Sequence, residues 1–166
     1  MEIENDSYIC CRFCDKQCKN ENDLDNHFFE NHTSDLDNER QQDLKIARQE
    51  VLDVIYNNKK MSSIYIDHFP NDIEIDYDNF IIEKHEPFIW ICSKEKQLEM
   101  QMMIYAQKHR KYNPYFNGYM YGYSDDKIYD FYKSMYPDKF NEYFIEDKTK
   151  NNTLINELQN LVSIIN

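Results

Sequence analysis

Glycine and proline are scarce, with two and four copies among 166 residues, which argues against long linkers and against many tight hairpins. No run approaches the roughly 20 apolar residues of a membrane helix. The amino terminus, MEIENDSYICC, is acidic and lacks an apolar segment, so it does not read as a secretory signal. Basic charge is also short: 19 Lys and Arg stand against 31 Asp and Glu, for a formal net charge of -12 and a pI near 4.8. Such a chain repels polyphosphate unless its few cations gather on one face. Nucleic acid is therefore disfavoured as a whole-protein partner, and a protein partner, basic in character, is favoured. Phosphate-cradling glycine loops, His-Glu-x2-His and a Ser/His/Asp arrangement in recognisable context are missing as well. No catalytic residue is assigned.

What is present is enough for a core. The 41% hydrophobic content, with aromatics making up 15% of the chain, speaks against wholesale disorder, and the length suits one ordinary domain with a small appendage. The five cysteines fall unevenly, with Cys10, Cys11, Cys14 and Cys18 together and Cys92 alone. An odd count clustered beside paired histidines points to metal ligation in a reducing compartment, not to a disulfide framework. A soluble protein of the cytoplasm or nucleus is expected. Heavy use of Asn, Ile, Lys, Asp and Tyr suggests an AT-rich genome, such as that of a protist or a large DNA virus.

Periodicity divides the chain. Residues 1–7 read as frayed, 1–33 as a small metal module, 34–58 as a connecting helix and 59–166 as an α+β body. Ser34 is placed to cap a helix over about 35–57, with Asp35 and Asp37 favoured by its dipole and Leu44, Ala47, Val51, Leu52 and Ile55 as its apolar stripe. Ile64 and Ile66, then Ile73, Ile75 and Tyr77, alternate as half-buried strands do, with Pro70-Asn71-Asp72 as a turn and Phe80-Ile81-Ile82 as a further strand. Phe88 to Cys92 is continuously apolar and fits a strand covered on both faces. Ser93 then caps a helix over about 94–110 whose stripe is Leu98, Met102, Met103 and Tyr105. Residues 112–123 read as a loop, and helices follow near 125–135, 138–146 and 152–165, with Pro137 separating the first two. A small sheet packed with C-terminal helices makes the fold class α+β.

The chemistry concentrates in Cys11-x2-Cys14-x12-His27-x4-His32. Two cysteines two residues apart on a tight knuckle present both sulfurs to one ion, and two histidines on one helix face complete a tetrahedron. Cys10 is the alternative first ligand, in a Cys10-x3-Cys14 register. Cys18 suits a small core position, because structural zinc holds four ligands.

With Leu24 three residues before His27, residues 8–32 resemble the Cys2His2 zinc-finger family. The resemblance implies a short hairpin followed by a helix over about 21–32, with Zn2+ as the bound ion. Two positions depart from the family pattern. Cys18 stands where an aromatic is usual, and the aromatic expected two residues before the first cysteine is Tyr8 only if Cys10 is the ligand. Helix positions −1, 3 and 6, which read bases in DNA-binding fingers, are Asn20, Asp23 and Asn26, and none can make the bidentate arginine–guanine contact. Residues 8–32 carry three cations against five carboxylates, so the finger is a poor duplex binder and a better staple or protein contact.

Two further segments are candidates. Lys108, Arg110 and Lys111, followed by Tyr115 and Tyr119, combine cations with aromatics as single-stranded nucleic-acid sites do. The same residues also suit a helix terminus above a tyrosine-packed core. Gly118, Gly122-Tyr123 and the segment around them are similar to an uncharacterised family of small proteins with a Gly-x3-Gly-Tyr-Pro turn. Ser124 replaces that proline, and no activity follows. An enzyme site near 116–123, or an acid/base or metal role for His68 and His85 with Asp67, Asp72 or Glu86, remains a lesser alternative. The leading expectation is a zinc-stabilised accessory protein acting through protein–protein contacts.

Overall fold

The computed structural model describes residues 7–165, so six of the seven residues expected to fray lie outside the described residues. The fold is α+β, with six α-helices and two small antiparallel sheets among the described residues. Two compact units, Met1–Ile46 and Ala47–Asn166, divide the chain.

The first unit begins with a two-stranded hairpin, β1 (Ile9–Cys10) and β2 (Gln17–Cys18), in which Ile9 pairs with Cys18 and Cys10 with Gln17. Helix α1 (Glu21–Asn31) follows, then α2 (Thr33–Tyr56), which runs on past Ile46. The expected Ser34 cap is not used. His32 takes the position before α2, its carbonyl accepting the Leu36 N–H at 2.9 Å.

The second unit is organised by β5 (Phe88–Ser93), the central strand between β3 (Met61–Tyr65) and β4 (Phe80–His85). Met61 pairs with Cys92 and Ile64 with Ile89 on one side, and Ile81 with Cys92 and Ile82 with Ile91 on the other. This register puts Met61, Ile81, Trp90 and Cys92 on one face and Ile64, Ile82 and Ile91 on the other. The first face packs on α3 (Gln97–Lys108), through Met100, Met102 and Met103, and on Phe116, Met120, Leu158 and Val162. The second is covered by Ala47, Val51 and Val54 of α2. The continuously apolar run at 88–92 is thus a strand buried on both faces, and burial lifts the Cys92 thiol to about 11.

Four further sequence expectations are corrected here. The alternation at 73–77 does not form a strand. Ile73 and Ile75 pack against the second sheet face from an irregular segment. There Asp76 turns the chain, accepting from the Asp78 N–H at 2.9 Å and the Asn79 side chain. Side chains can satisfy a two-residue period without a ladder. The helix after β5 opens with a 3-10 turn at Lys94–Lys96, Ser93 makes no side-chain cap bond, and Leu98 is exposed instead of buried.

Residues 112–123 are not a loop but mostly helix α4 (Pro114–Tyr121). Asn113 caps it by accepting the Phe116 N–H at 2.8 Å, Pro114 occupies the first turn, and Gly122 ends it at φ 87°. The fourth correction concerns 138–146 and 152–165, which belong to one helix, α6 (Phe140–Ile165), after α5 (Asp125–Met135).

Gly118 explains why α4 carries a glycine at mid-helix: a Cβ there would lie 2.6 Å from Cγ1 of Ile128 on α5. Gly118→Ala is expected to destabilise the second unit by about 1–3 kcal/mol through overpacking. Urea denaturation measures this, and a stabilised variant would show that α4 and α5 do not approach so closely. Tyr132 ties the same region together. Its hydroxyl accepts the Tyr115 N–H at 2.9 Å and donates to Asp147, within a cluster completed by Ile128, Phe140 and Phe144.

Candidate metal centre

The hairpin turns through the knuckle Cys11–Cys14. The Cys11 N–H donates to the Lys16 carbonyl at 2.9 Å, and the Phe13 N–H points at Cys11 Sγ at 3.4 Å. Asn20 caps α1, its side chain accepting the Asp23 N–H at 2.8 Å, while Asp23 reaches back to the Lys19 N–H at 3.4 Å. Asp23 thus takes the N–H one residue before the cap, and the two bonds together fix the entry into α1. Glu21 and Asp23 add negative charge where the helix dipole favours it.

Cys11, Cys14, His27 and His32 converge, their ligand atoms all within 4.8 Å of one another. Cys14 Sγ lies 3.2 Å from His27 Nε2, which is itself 3.2 Å from His32 Nε2. A tetrahedral ion with bonds near 2.0 Å to nitrogen and 2.3 Å to sulfur has edges of about 3.3–3.8 Å, close to these two separations, so they and the S2N2 donor set fit a four-coordinate zinc-type ion. The group can hold a metal ion. Cys10 lies outside it, exposed on β1.

The helix expected over 21–32 stops at Asn31, and His32 is its C-cap at φ −131°. Five residues of continuous helix would leave the two rings about 140° apart around the axis. Leaving the helix at His32 brings that ring round to His27, so the two histidines meet by a helix break instead of sharing a helix face.

Around the ligands the unit is thinly built. Cys11, Cys18, His27 and Phe28 are buried, Leu24 only half so. Phe13 and Phe28 meet edge to face at 5.6 Å, and Phe13 lies 5.1 Å from the His32 ring. The Arg12 guanidinium sits over both phenyl rings, at 4.6 and 4.9 Å, and pairs with Glu39 of α2 at 2.6 Å. Burial, then the charge of Lys16 and the neighbouring His32, pulls the His27 pKa down, which favours the neutral, ligating imidazole. Burial pushes the Cys18 thiol up, as suits a core position.

Each ring is held from behind. His32 Nδ1 lies 2.8 Å from Asp35 Oδ2, and the Asn31 side-chain amide lies 3.1 Å from His27 Nδ1. Phe13, Phe28, Arg12 and Asp35 are the members of this site that periodicity did not single out. Asp35 stands three residues after His32, and starting the second helix at residue 33 would have shown the pair to face each other.

The other candidates are dispersed. Lys108, Arg110 and Lys111 are exposed at the end of α3, with Arg110 at φ 54°, and Lys111 is paired with Glu157 at 3.1 Å. The Tyr115 ring is buried, its hydroxyl donating to Asp125 at 2.7 Å and its pKa pushed up to about 12 by burial and that carboxylate. It is not free to stack a base. Tyr119 is exposed, with Lys60 over its ring at 5.6 Å. A groove of about 510 Å³ beside α4 and α5 has apolar walls including Ile128, Phe131 and Met135 and carries no acid/base pair. His85 Nε2 lies 3.1 Å from Glu83, and His68 packs edge-on to Tyr65. Neither joins a metal-ligating group among the described residues.

Comparison with known proteins finds no matching family model, no matching curated protein and no matching solved structure. Among the described residues no helix is long and apolar enough to cross a membrane.

Proposed function

We propose that residues 8–32 are a zinc finger of the Cys2His2 kind and that the protein is a zinc-stabilised accessory factor acting through protein–protein contacts. The observation that carries the zinc reading is the convergence of Cys11, Cys14, His27 and His32. Thiolate ligation in turn favours a reducing, intracellular setting.

Protein contact is favoured over base reading by what the finger helix has to offer. The side chains of Asn20 and Asp23, two of the three base-reading positions, are engaged with backbone N–H groups at the helix start. The exposed large apolar side chain on α1 is Phe29, 75% exposed, between Asp25 four residues before it and Glu30 beside it. An aromatic with an acidic surround suits a basic protein surface with an apolar pocket.

Elemental analysis of the purified chain is expected to give one zinc per protein, and oligonucleotides, duplex or single-stranded, are expected not to bind at physiological salt. Nanomolar binding that falls steeply with salt and disappears when Lys108, Arg110 and Lys111 become alanine would replace this reading with a nucleic-acid one.

A further inference from the structure

We propose that Asp35 of α2 is a positioning residue for the metal centre, so that the metal module extends past its last ligand into the following helix. The inference rests on the zinc reading above and adds a residue that lies outside the 8–32 segment.

A neutral imidazole that ligates through Nε2 carries its proton on Nδ1, and a carboxylate receiving that proton fixes both the tautomer and the ring's rotation. His32 needs such a fixture more than His27 does. It is the C-cap of α1, outside the regular helix, so the helix geometry that fixes His27 does not fix it. The bond at 2.8 Å between His32 Nδ1 and Asp35 Oδ2 turns Nε2 toward His27 and Cys14. The His32 side chain is only 11% exposed and the Asp35 side chain 48%, so the contact is partly shielded from water.

One helical turn further on, Glu39 binds Arg12, which covers Phe13 and Phe28. Asp35 and Glu39 are four residues apart and therefore share a face of α2, both turned to the knuckle and its ligands. The compact unit ends at Ile46, beyond both contacts. The first turns of α2 thus belong to the metal module, and zinc occupancy and order at the start of α2 are linked.

The test uses the full chain in four forms: wild type, Asp35→Leu, Asp35→Asn and Asp37→Ala. Zinc affinity is measured by competition with a chromogenic chelator, and the d–d absorption of the Co2+-substituted protein reports ligand geometry. Asp35→Leu is expected to weaken zinc binding about tenfold or more and to shift the Co2+ bands. Asp35→Asn, whose amide oxygen still accepts from Nδ1, is expected to restore most of the affinity and the spectrum. Asp37→Ala removes a neighbouring carboxylate near the same helix start and is expected to leave both unchanged. Wild-type affinity and spectrum in Asp35→Leu, or an equal loss in Asp37→Ala, overturns the inference while leaving the zinc reading intact. A wild-type chain that binds neither Zn2+ nor Co2+ overturns both.

Discussion

Stripping zinc with a chelator, or replacing Cys14 by serine, is expected to unfold residues 8–32 and to leave the second unit folded. The argument is one of core size. Among the described residues of Met1–Ile46 the buried ones are Cys11, Cys18, His27 and Phe28, and two of these are proposed ligands. A unit of that size cannot bury enough apolar surface to offset its chain entropy, and small metal modules make up the difference by coupling folding to binding, with apparent metal affinities of about 10–16 kcal/mol. The Arg12–Glu39 pair that covers Phe13 and Phe28 is exposed and contributes order once the knuckle is closed, not enough to close it. Serine keeps the size of Cys14 but is a far poorer zinc ligand, so the variant is expected to resemble the stripped protein.

Peptide-resolved hydrogen exchange checks this. Protection of β1, β2 and α1 should be lost, while β3, β4 and β5 keep theirs. The single tryptophan, Trp90, lies in β5 and is 2% exposed, so its emission should not shift. An N-terminal segment equally protected with and without zinc would overturn the prediction and the zinc reading with it.

How far the sequence led depends on what each signal measures. Ligand spacing and an unbroken apolar run at 88–92 are strong local signals, and both appear where expected, because burial on two faces and convergence on one point leave few alternatives. The loop expected at 112–123 was inferred from two glycines, and there the signal misled. Gly118 is small because Ile128 presses on α4, and only Gly122 adopts a left-handed turn. From sequence alone a glycine that makes room and a glycine that turns look the same.

The break expected near 147–151 fails for a related reason. Thr149, Asn151, Asn152 and Thr153 are poor helix formers, yet Asn151 is buried and the helix runs on to where Leu158 and Val162 enter the main core. Packing decides over propensity. At the metal centre the ligands were legible, but their supports were not. The Asp35–His32 contact depends on α1 ending one residue earlier and α2 starting sooner than the apolar period indicates. Helix boundaries are set by caps, and a histidine serving as both ligand and cap has no signature in a hydrophobic pattern.

Trp90→Ala is expected to cost the second unit about 3–5 kcal/mol, the range for removing a large buried aromatic. Position and register argue for the upper part. Trp90 pairs with Ser63 on one side and Glu83 on the other, so no apolar side chain lies directly opposite it on either neighbouring strand to settle into the space. Across the core it faces a cluster that includes Met100, Met103 and Phe116, all fully buried. Methionines can shift to fill part of the void, which sets a limit on the loss. Phe116 is held on capped α4 and cannot follow.

For a unit of about this size each kcal/mol moves the melting temperature by roughly 3–6 °C, so a drop of about 10–25 °C should be seen. Trp90→Phe, which keeps a ring, should lose less than half as much. Because the affected core lies within Ala47–Asn166, the Co2+ spectrum of the metal centre should be unchanged at temperatures where the variant is still folded. A loss below about 1 kcal/mol would mean that β5 is not the central, doubly covered strand, and the two-faced packing that organises the second unit would have to be abandoned.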